Sequence, residues 1–268
     1  MEILVSESPV KAGTPGPAYP EPKKVSLATI HEDFARLGKA EFFAGVVFDE
    51  LERMRDRPAL TALDVGCGGG FHHRPDLQAQ IGSRTSRFLG VEPDPDAQVQ
   101  AEFAAIYRST LEGADLPLNS VDLAYAAMVL EHVADAESFF AKLDSVLKPG
   151  GVFWGFTVDR RHWFAWLSQW MQRLGLKDRY LDLLHGKRGE ERYENFPTHY
   201  RCNSPRALQE LAGNHLKVET WSLHKHGQLD FYLPRWSWPI AHLVDRISMM
   251  VGLPGSVLAV RVSKPMHG

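Results

Sequence analysis

The sequence predicts an α/β protein: a doubly wound, mostly parallel sheet carrying helical insertions after its fifth strand and between its last two. Three observations carry that expectation. Short apolar strands alternate with helical stretches across most of the chain. The first strand, "LTALDVG", runs into the turn "GCGGG", and a glycine-rich bend after the first strand of such a sheet faces its ligand crevice. Two aromatic-rich segments, residues 159–205 and 227–254, break the alternation.

Residues 1–26 are rich in Pro, Gly and Ser and lack a basic start followed by an apolar core, so they read as a flexible N-terminal arm and not as a secretory signal. Residues 27–268 then form one domain. Across 27–57 apolar positions such as Phe43, Val47 and Leu51 recur at helical spacing and stop before Pro58, which predicts one or two helices. Strands follow at "LTALDVG", "RFLGVEP", "VDLAYAAMVL" and "GGVFWGFTV", the last introduced by "LKPGG", a Pro-Gly stop that closes the helical pattern "ESFFAKLDSVL". In "SPRALQELAG" Ser204 is placed to cap a helix that has Pro205 at its first position. The strands "LKVETWSL" and "SVLAVRVS" complete the series.

Composition narrows the function. A chain of 268 residues, 44% hydrophobic and 24% charged, can bury a large core. A formal net charge of −3 and no dense basic run argue against a nucleic-acid partner. Two cysteines, Cys67 and Cys202, are too few for a disulfide framework or a structural zinc site and suit a reducing, cytoplasmic setting. Cys67 lies inside the glycine turn, where its small size is reason enough for it.

Two cofactor classes compete for that turn. A dinucleotide site needs Gly-x-Gly-x-x-Gly so that a helix amino terminus meets a pyrophosphate. Here the glycines are Gly66, Gly68 and Gly70, and Phe71 stands where the third dinucleotide glycine belongs. Gly-x-Gly-x-Gly with Asp64 two residues ahead of it instead resembles the class I S-adenosylmethionine-dependent methyltransferases, and the resemblance extends over about residues 60–158. Glu92 in "GVEPDP" matches the acid that accepts hydrogen bonds from both ribose hydroxyls. "LEGADLPL" resembles the family's adenine-binding segment, and "AYAAMVLEHV" followed by "LKPGG" is similar to the subgroup related to quinone C-methyltransferases.

The resemblance implies a seven-stranded Rossmann-like sheet and S-adenosyl-L-methionine as cofactor. It implies a site built from Asp64, Gly66, Cys67, Gly68 and Gly70 of the turn, Glu92 and Pro93 after the second strand, Glu112 and Gly113 at the adenine, and Met128. In one respect the chain departs from the family pattern. The helix that usually follows the last glycine is delayed by "FHHR", and Pro75 permits only a helix that starts there.

Methyl transfer from a sulfonium is an in-line displacement that needs neither a metal nor a covalent intermediate. A hydroxyl or acidic-carbon acceptor gains from a general base by roughly 10²–10⁴-fold. His132 in "LEHV", with His199 and Tyr200 in "FPTHYRCNSP", are the leading candidates for that role, and His162 and His226 are further ones. Helix capping or loop packing is the competing reading for each. His72 and His73 lack a carboxylate partner at ligand spacing, and Met128 stands where some quinone O-methyltransferases carry a metal-associated Glu, so no metal is expected.

Trp163, Trp166 and Trp170 recur at helical spacing with Leu167, Met171 and Leu174, and Phe231, Tyr232, Trp236 and Trp238 cluster in the second insertion. Such a face reads first as core. The alternatives are a lid over a small apolar or aromatic acceptor, lipid, quinone or natural-product-like, and a peripheral membrane contact aided by Arg235 and Arg246. Two functions compete with methyl transfer: a catalytically silent S-adenosylmethionine-binding or scaffolding protein, and an NAD-dependent oxidoreductase. The sequence leaves the oligomeric state open.

Overall fold

The structure is a computed structural model that describes residues 23–185, 197–225, 227 and 229–266. Most of the expected arm, residues 1–22, and the candidate His226 lie outside the described residues. Where the description begins, Val25 is already buried, and it lies so close to Gly45 that a Cβ there would sit 2.6 Å from the valine side chain.

The expected pair of N-terminal helices is α1 (Ile30–Arg36) and α2 (Lys39–Arg53), whose apolar stripe buries Phe42, Phe43, Val46, Val47 and Leu51. There follow β1 (Thr61–Val65), α3 (Pro75–Ser83), β2 (Arg87–Val91), β3 (Ala105–Tyr107), β4 (Val121–Ala127), α4 (Ala136–Val146) and β5 (Leu147–Val158). The first insertion holds α5 (Trp163–Arg173) and α6 (Lys177–His185). Then come α7 (Pro205–Ala212), β6 (Lys217–Leu223), α8 (Trp238–Met250) in the second insertion, and β7 (Val257–Ser263).

The seven strands run in the order β3-β2-β1-β4-β5-β7-β6, all parallel except β7, which is antiparallel to both β5 and β6. Strand order therefore reverses between β1 and β4, and the glycine turn leaves β1 at that reversal, where open α/β sheets build their ligand crevice. One apolar layer packs α1, α2 and α3 on the sheet through Phe43, Ile81, Tyr125 and Trp154. The other packs α4 and α7 through Phe139, Phe140, Leu143 and Leu208.

Local expectations hold with two differences. Pro75 does open α3, and Ser204 caps α7 by accepting from the Ala207 N–H. The "LKPGG" stop is absorbed into β5, with Gly150 in the left-handed region at φ 75° and a register shift between Val121 and Leu123 on the partner strand. The crossover from β2 to β3 contains no helix. Phe103 instead stacks on Phe88 at 4.3 Å between centroids, covering the sheet with an extended segment.

Candidate functional site

The turn after β1 has its shape because two positions leave no room for a side chain. Gly66 has φ 83°, and a Cβ there would sit 2.5 Å from Val129 at the end of β4; at Gly68 a Cβ would be 2.6 Å from the Glu92 carboxylate. The Gly66 and Cys67 N–H groups both donate to Val91 O, and the Gly68 N–H donates to Glu92 Oε2 at 2.8 Å. Asp94 N–H takes the other oxygen, Oε1, at 3.0 Å. Glu92 thus touches the turn from the neighbouring strand end. A carboxylate offers about four acceptor positions, so two remain for a diol.

Room exists beside the turn, since no atom of the described residues lies within 4 Å of a Cβ built on Gly69. One side is closed by the segment after β2: the Gly69 N–H donates to Gln98 O at 3.0 Å. Gly70 packs against the backbone of Pro75, and Pro93 is exposed next to Glu92.

Asp64 serves the turn from below. Its Oδ2 accepts from Gln78 Nε2 and from the Tyr125 hydroxyl, each at 2.8 Å, so the side chain ties β1 to α3 and β4. Gln78 also donates to Cys67 O, which fixes the turn from the same side. Burial pushes the Asp64 carboxyl up to about 7, with the Glu92 charge adding to the rise and the two hydrogen bonds opposing it. Burial likewise raises the Cys67 thiol well above its ordinary range, which removes it as a nucleophile.

A stability prediction follows from Asp64. The folded protein keeps a proton on this carboxyl at pH values where the unfolded chain, titrating near ~3.9, has lost it. Stability therefore falls as pH rises from about 4 to about 7. Asp64→Asn retains an acceptor for Tyr125 and carries no titrating proton. Its melting temperature relative to wild type is expected to climb between about pH 5 and about pH 7.5. Parallel profiles for the two proteins would contradict the assignment.

At the adenine segment Glu112 is half-buried and Gly113 exposed. The Gly113 N–H expected to meet a ring nitrogen is directed at Thr110 O at 3.2 Å, closing a turn that starts one residue before Leu111. Met128, with φ 60°, sits at the end of β4, its N–H on Phe156 O at 2.7 Å, immediately before the Val129 that overlies Gly66.

Beyond β4 a polar cluster gathers around Glu131. Its Oε2 accepts from Thr157 Oγ1 at 2.7 Å, and Thr157 Oγ1 in turn accepts from Asn203 Nδ2 at 2.6 Å. The backbone oxygen of Glu131 accepts from the His199 and Tyr200 N–H groups, which is how the first insertion is fastened here. Burial raises the Glu131 carboxyl, while the neighbouring His132 and Lys39 charges pull it down. Burial also holds the Lys39 amine below its ordinary range, with Glu131 acting against the shift. His72 is pushed down to about 4 by burial, then by Lys39 and His73, so its ring is neutral at physiological pH.

Of the candidate bases, His132 sits on this cluster with Nδ1 2.9 Å from Pro197 O. A carbonyl only accepts, so Nδ1 carries the proton and Nε2 is the basic nitrogen of the neutral ring. His199 is exposed. Tyr200 is buried, and its phenol is raised by burial and by Glu131, with Ser168 and Thr198 as hydrogen-bond partners, so it acts as a neutral hydrogen-bonding group. His162 is structural: it caps α5 at Phe164 N and lies 3.5 Å from Asp245 on α8.

The structure brings the turn, Glu92, Met128 and His132 to one end of the sheet and adds Lys39 and Glu131, which sequence reasoning left unassigned. Glu131 adjoins His132 in "LEHV", a signal in plain view; Lys39 enters from the first turn of a distant helix with no motif around it. A separate groove of about 920 Å3 lies between α4 and α7, lined by Asp135, Phe140, Arg160, Arg201 and Leu211, away from the turn.

Comparison with known proteins agrees with this geometry. A family model described as "Methyltransferase domain" matches residues 63–155. A ubiquinone biosynthesis O-methyltransferase of Methylobacterium sp. is 37% identical over 109 residues, which is 38% of this chain and 42% of that protein. One from Paramagnetospirillum magneticum is 38% identical over 112 residues, 40% of this chain and 44% of that protein. The matched segment thus spans under half the length of these relatives. Among solved structures, a chain from the complex between the Haloferax volcanii Trm112 methyltransferase activator and a methyltransferase superposes with TM-score 0.50 at 14% identity, covering 83% of this chain and 97% of that one, a likeness of fold. Residues 63–155 match the methyltransferase domain model and are similar to the ubiquinone biosynthesis O-methyltransferases, and the chain as a whole has the seven-stranded Rossmann-like fold seen in a solved methyltransferase structure.

Proposed function

We propose that this protein is an S-adenosylmethionine-dependent methyltransferase acting on a small apolar or aromatic acceptor, of the quinone or phenol type, by direct in-line transfer. The observation that carries the reading is the Gly68 N–H on Glu92 Oε2 at the point where strand order reverses. It leaves a carboxylate with acceptor capacity beside a glycine-rich turn that has open space at Gly69, the right chemistry for a ribose diol next to an uncharged tail. Glu92 would hold the ribose, the Gly66–Gly70 backbone the methionyl portion, and Glu112 the adenine edge. When bound there, the cofactor supplies an electrophilic methyl group on sulfur.

The protein's own contribution is placement and proton handling. Orienting acceptor and methyl in line supplies roughly 7–11 kcal/mol of such a barrier. His132, its tautomer set by Pro197 O, takes the acceptor proton at Nε2, and a negative charge on the adjacent Glu131 would stabilise the imidazolium that forms. Lys39 stands close enough to Glu131 to favour an anionic acceptor oxygen in the same space.

The test is ligand-induced stabilisation. S-adenosylhomocysteine at 100 times its dissociation constant is expected to stabilise the fold by about 2.7 kcal/mol, with no shift from NAD. A shift from NAD alone would restore the oxidoreductase reading. A shift from S-adenosylhomocysteine without turnover of any quinol or phenol tried would favour the catalytically silent binding protein.

A further inference from the structure

Helix α8 is built inside out. Arg246 apart, its polar side chains turn toward the protein: Asp245 and Ser248 are buried with Ala241, Asp245 accepts from Trp163 Nε1 at 2.9 Å, and His242 pairs with Asp230 at 2.7 Å. Its apolar side chains face outward. Ile240, Leu243 and Ile247 are 60%, 56% and 50% exposed, Met250 and Val251 still more so, and Trp236 in the turn before the helix is 77% exposed. At about 100° per residue these six fall within one stripe of roughly 120°. Solvent exposure of so continuous an apolar face marks an interaction surface.

The other insertion also exposes large apolar side chains. On α5, Trp163 donates to Asp245, while Trp166 is 67% exposed and Trp170 half exposed. The expectation that this tryptophan stripe is core therefore fails at Trp166 and Trp170, and Trp163 itself is half-buried.

Charge selects the occupant. The exposed charges on α8 and the turn before it are cationic, Arg246 and Arg235, and they project from one flank of the stripe; the one acid of the helix, Asp245, is turned inward. An outward apolar stripe bordered by arginines and rimmed with tryptophans is the design of a helix lying in the interface of an anionic bilayer. The helix has 13 residues. At 1.5 Å per residue it is about 20 Å long, too short for a hydrocarbon core of about 30 Å, so it lies flat. No helix among the described residues is long and apolar enough to cross a membrane. We infer that the outward face of α8, together with Trp166 and Trp170, docks this protein on a membrane surface carrying anionic headgroups. The inference stands on the apolar and cationic side chains that α8 turns outward and is independent of the methyl-transfer reading.

The experiment is co-sedimentation of the full chain with vesicles of phosphatidylcholine alone and of phosphatidylcholine with phosphatidylglycerol. Wild type is expected to bind the anionic vesicles at least tenfold more tightly than the neutral ones, and the gap should close in high salt. Ile240→Ser/Leu243→Ser/Ile247→Ser changes only exposed positions and should lower anionic-vesicle binding at least tenfold with an unchanged melting temperature. Arg235→Gln/Arg246→Gln should remove the preference for the anionic surface. No binding by wild type, equal binding to both vesicles, or binding untouched by the triple substitution would overturn the proposal. So would a dimer seen by sedimentation equilibrium that the triple substitution dissolves, since the face would then belong to a second copy of the chain.

Discussion

Replacing Glu92 by alanine is expected to weaken S-adenosylhomocysteine binding by about 10- to 150-fold, the equivalent of one charge-assisted hydrogen-bonding group worth roughly 1.5–3 kcal/mol. Two losses add. The ribose loses its acceptor, and the Gly68 and Asp94 N–H groups lose the carboxylate that holds the turn to the end of β2. Glu92→Gln keeps one acceptor oxygen and should fall between wild type and Glu92→Ala. Calorimetric titration reads both affinities directly. An unchanged dissociation constant for Glu92→Ala would mean that the ribose is held elsewhere.

Removing the imidazole, His132→Ala, is expected to lower kcat by about 10²–10⁴-fold toward an acceptor that must lose a proton, with S-adenosylhomocysteine affinity unchanged. The prediction rests on two observations: Pro197 O fixes the proton on Nδ1, and the adjacent Glu131, which feels the His132 charge, is held in a chain through Thr157 to Asn203. Glu131→Gln keeps an acceptor for Thr157 and removes the charge, so a loss of about tenfold in kcat is expected with the melting temperature preserved. The split separates chemistry from structure. If His132→Ala lost affinity and melting temperature together while the rate on bound acceptor held, His132 would be a packing residue.

Much of the fold was legible because its signals are local. The strands flanking the glycine turn, the capping Ser204 and the delayed start of α3 at Pro75 are each written in fewer than ten contiguous residues. β3 was not legible as a strand: with three residues it is too short for any period to show. The absent helix between β2 and β3 was also silent, since the extended cover depends on Phe103 meeting Phe88 across the sheet.

The site divides in the same way. The turn and Glu92 are readable from glycine spacing and a strand-end acid, and they do meet in the fold. Asp64 is readable as part of the motif, yet its hydrogen-bond partners Gln78 and Tyr125 lie 14 and 61 residues away. Lys39 and the chain from Asn203 through Thr157 to Glu131 come together only in three dimensions. The tryptophan stripe shows the limit of periodicity, which reports that a helix has an apolar face without saying what covers it. Trp163 meets Asp245, and one turn later Trp166 meets solvent.

The central claim, a sugar gripped by Glu92 beside a bend that accepts an uncharged tail, is tested most directly by a crystal structure with S-adenosylhomocysteine. The expected result places both ribose hydroxyls within hydrogen-bonding distance of the Glu92 carboxylate and the sulfur on the side of His132 and Lys39. Density for the ligand in the groove between α4 and α7, or at the turn with its ribose away from Glu92, would contradict the account.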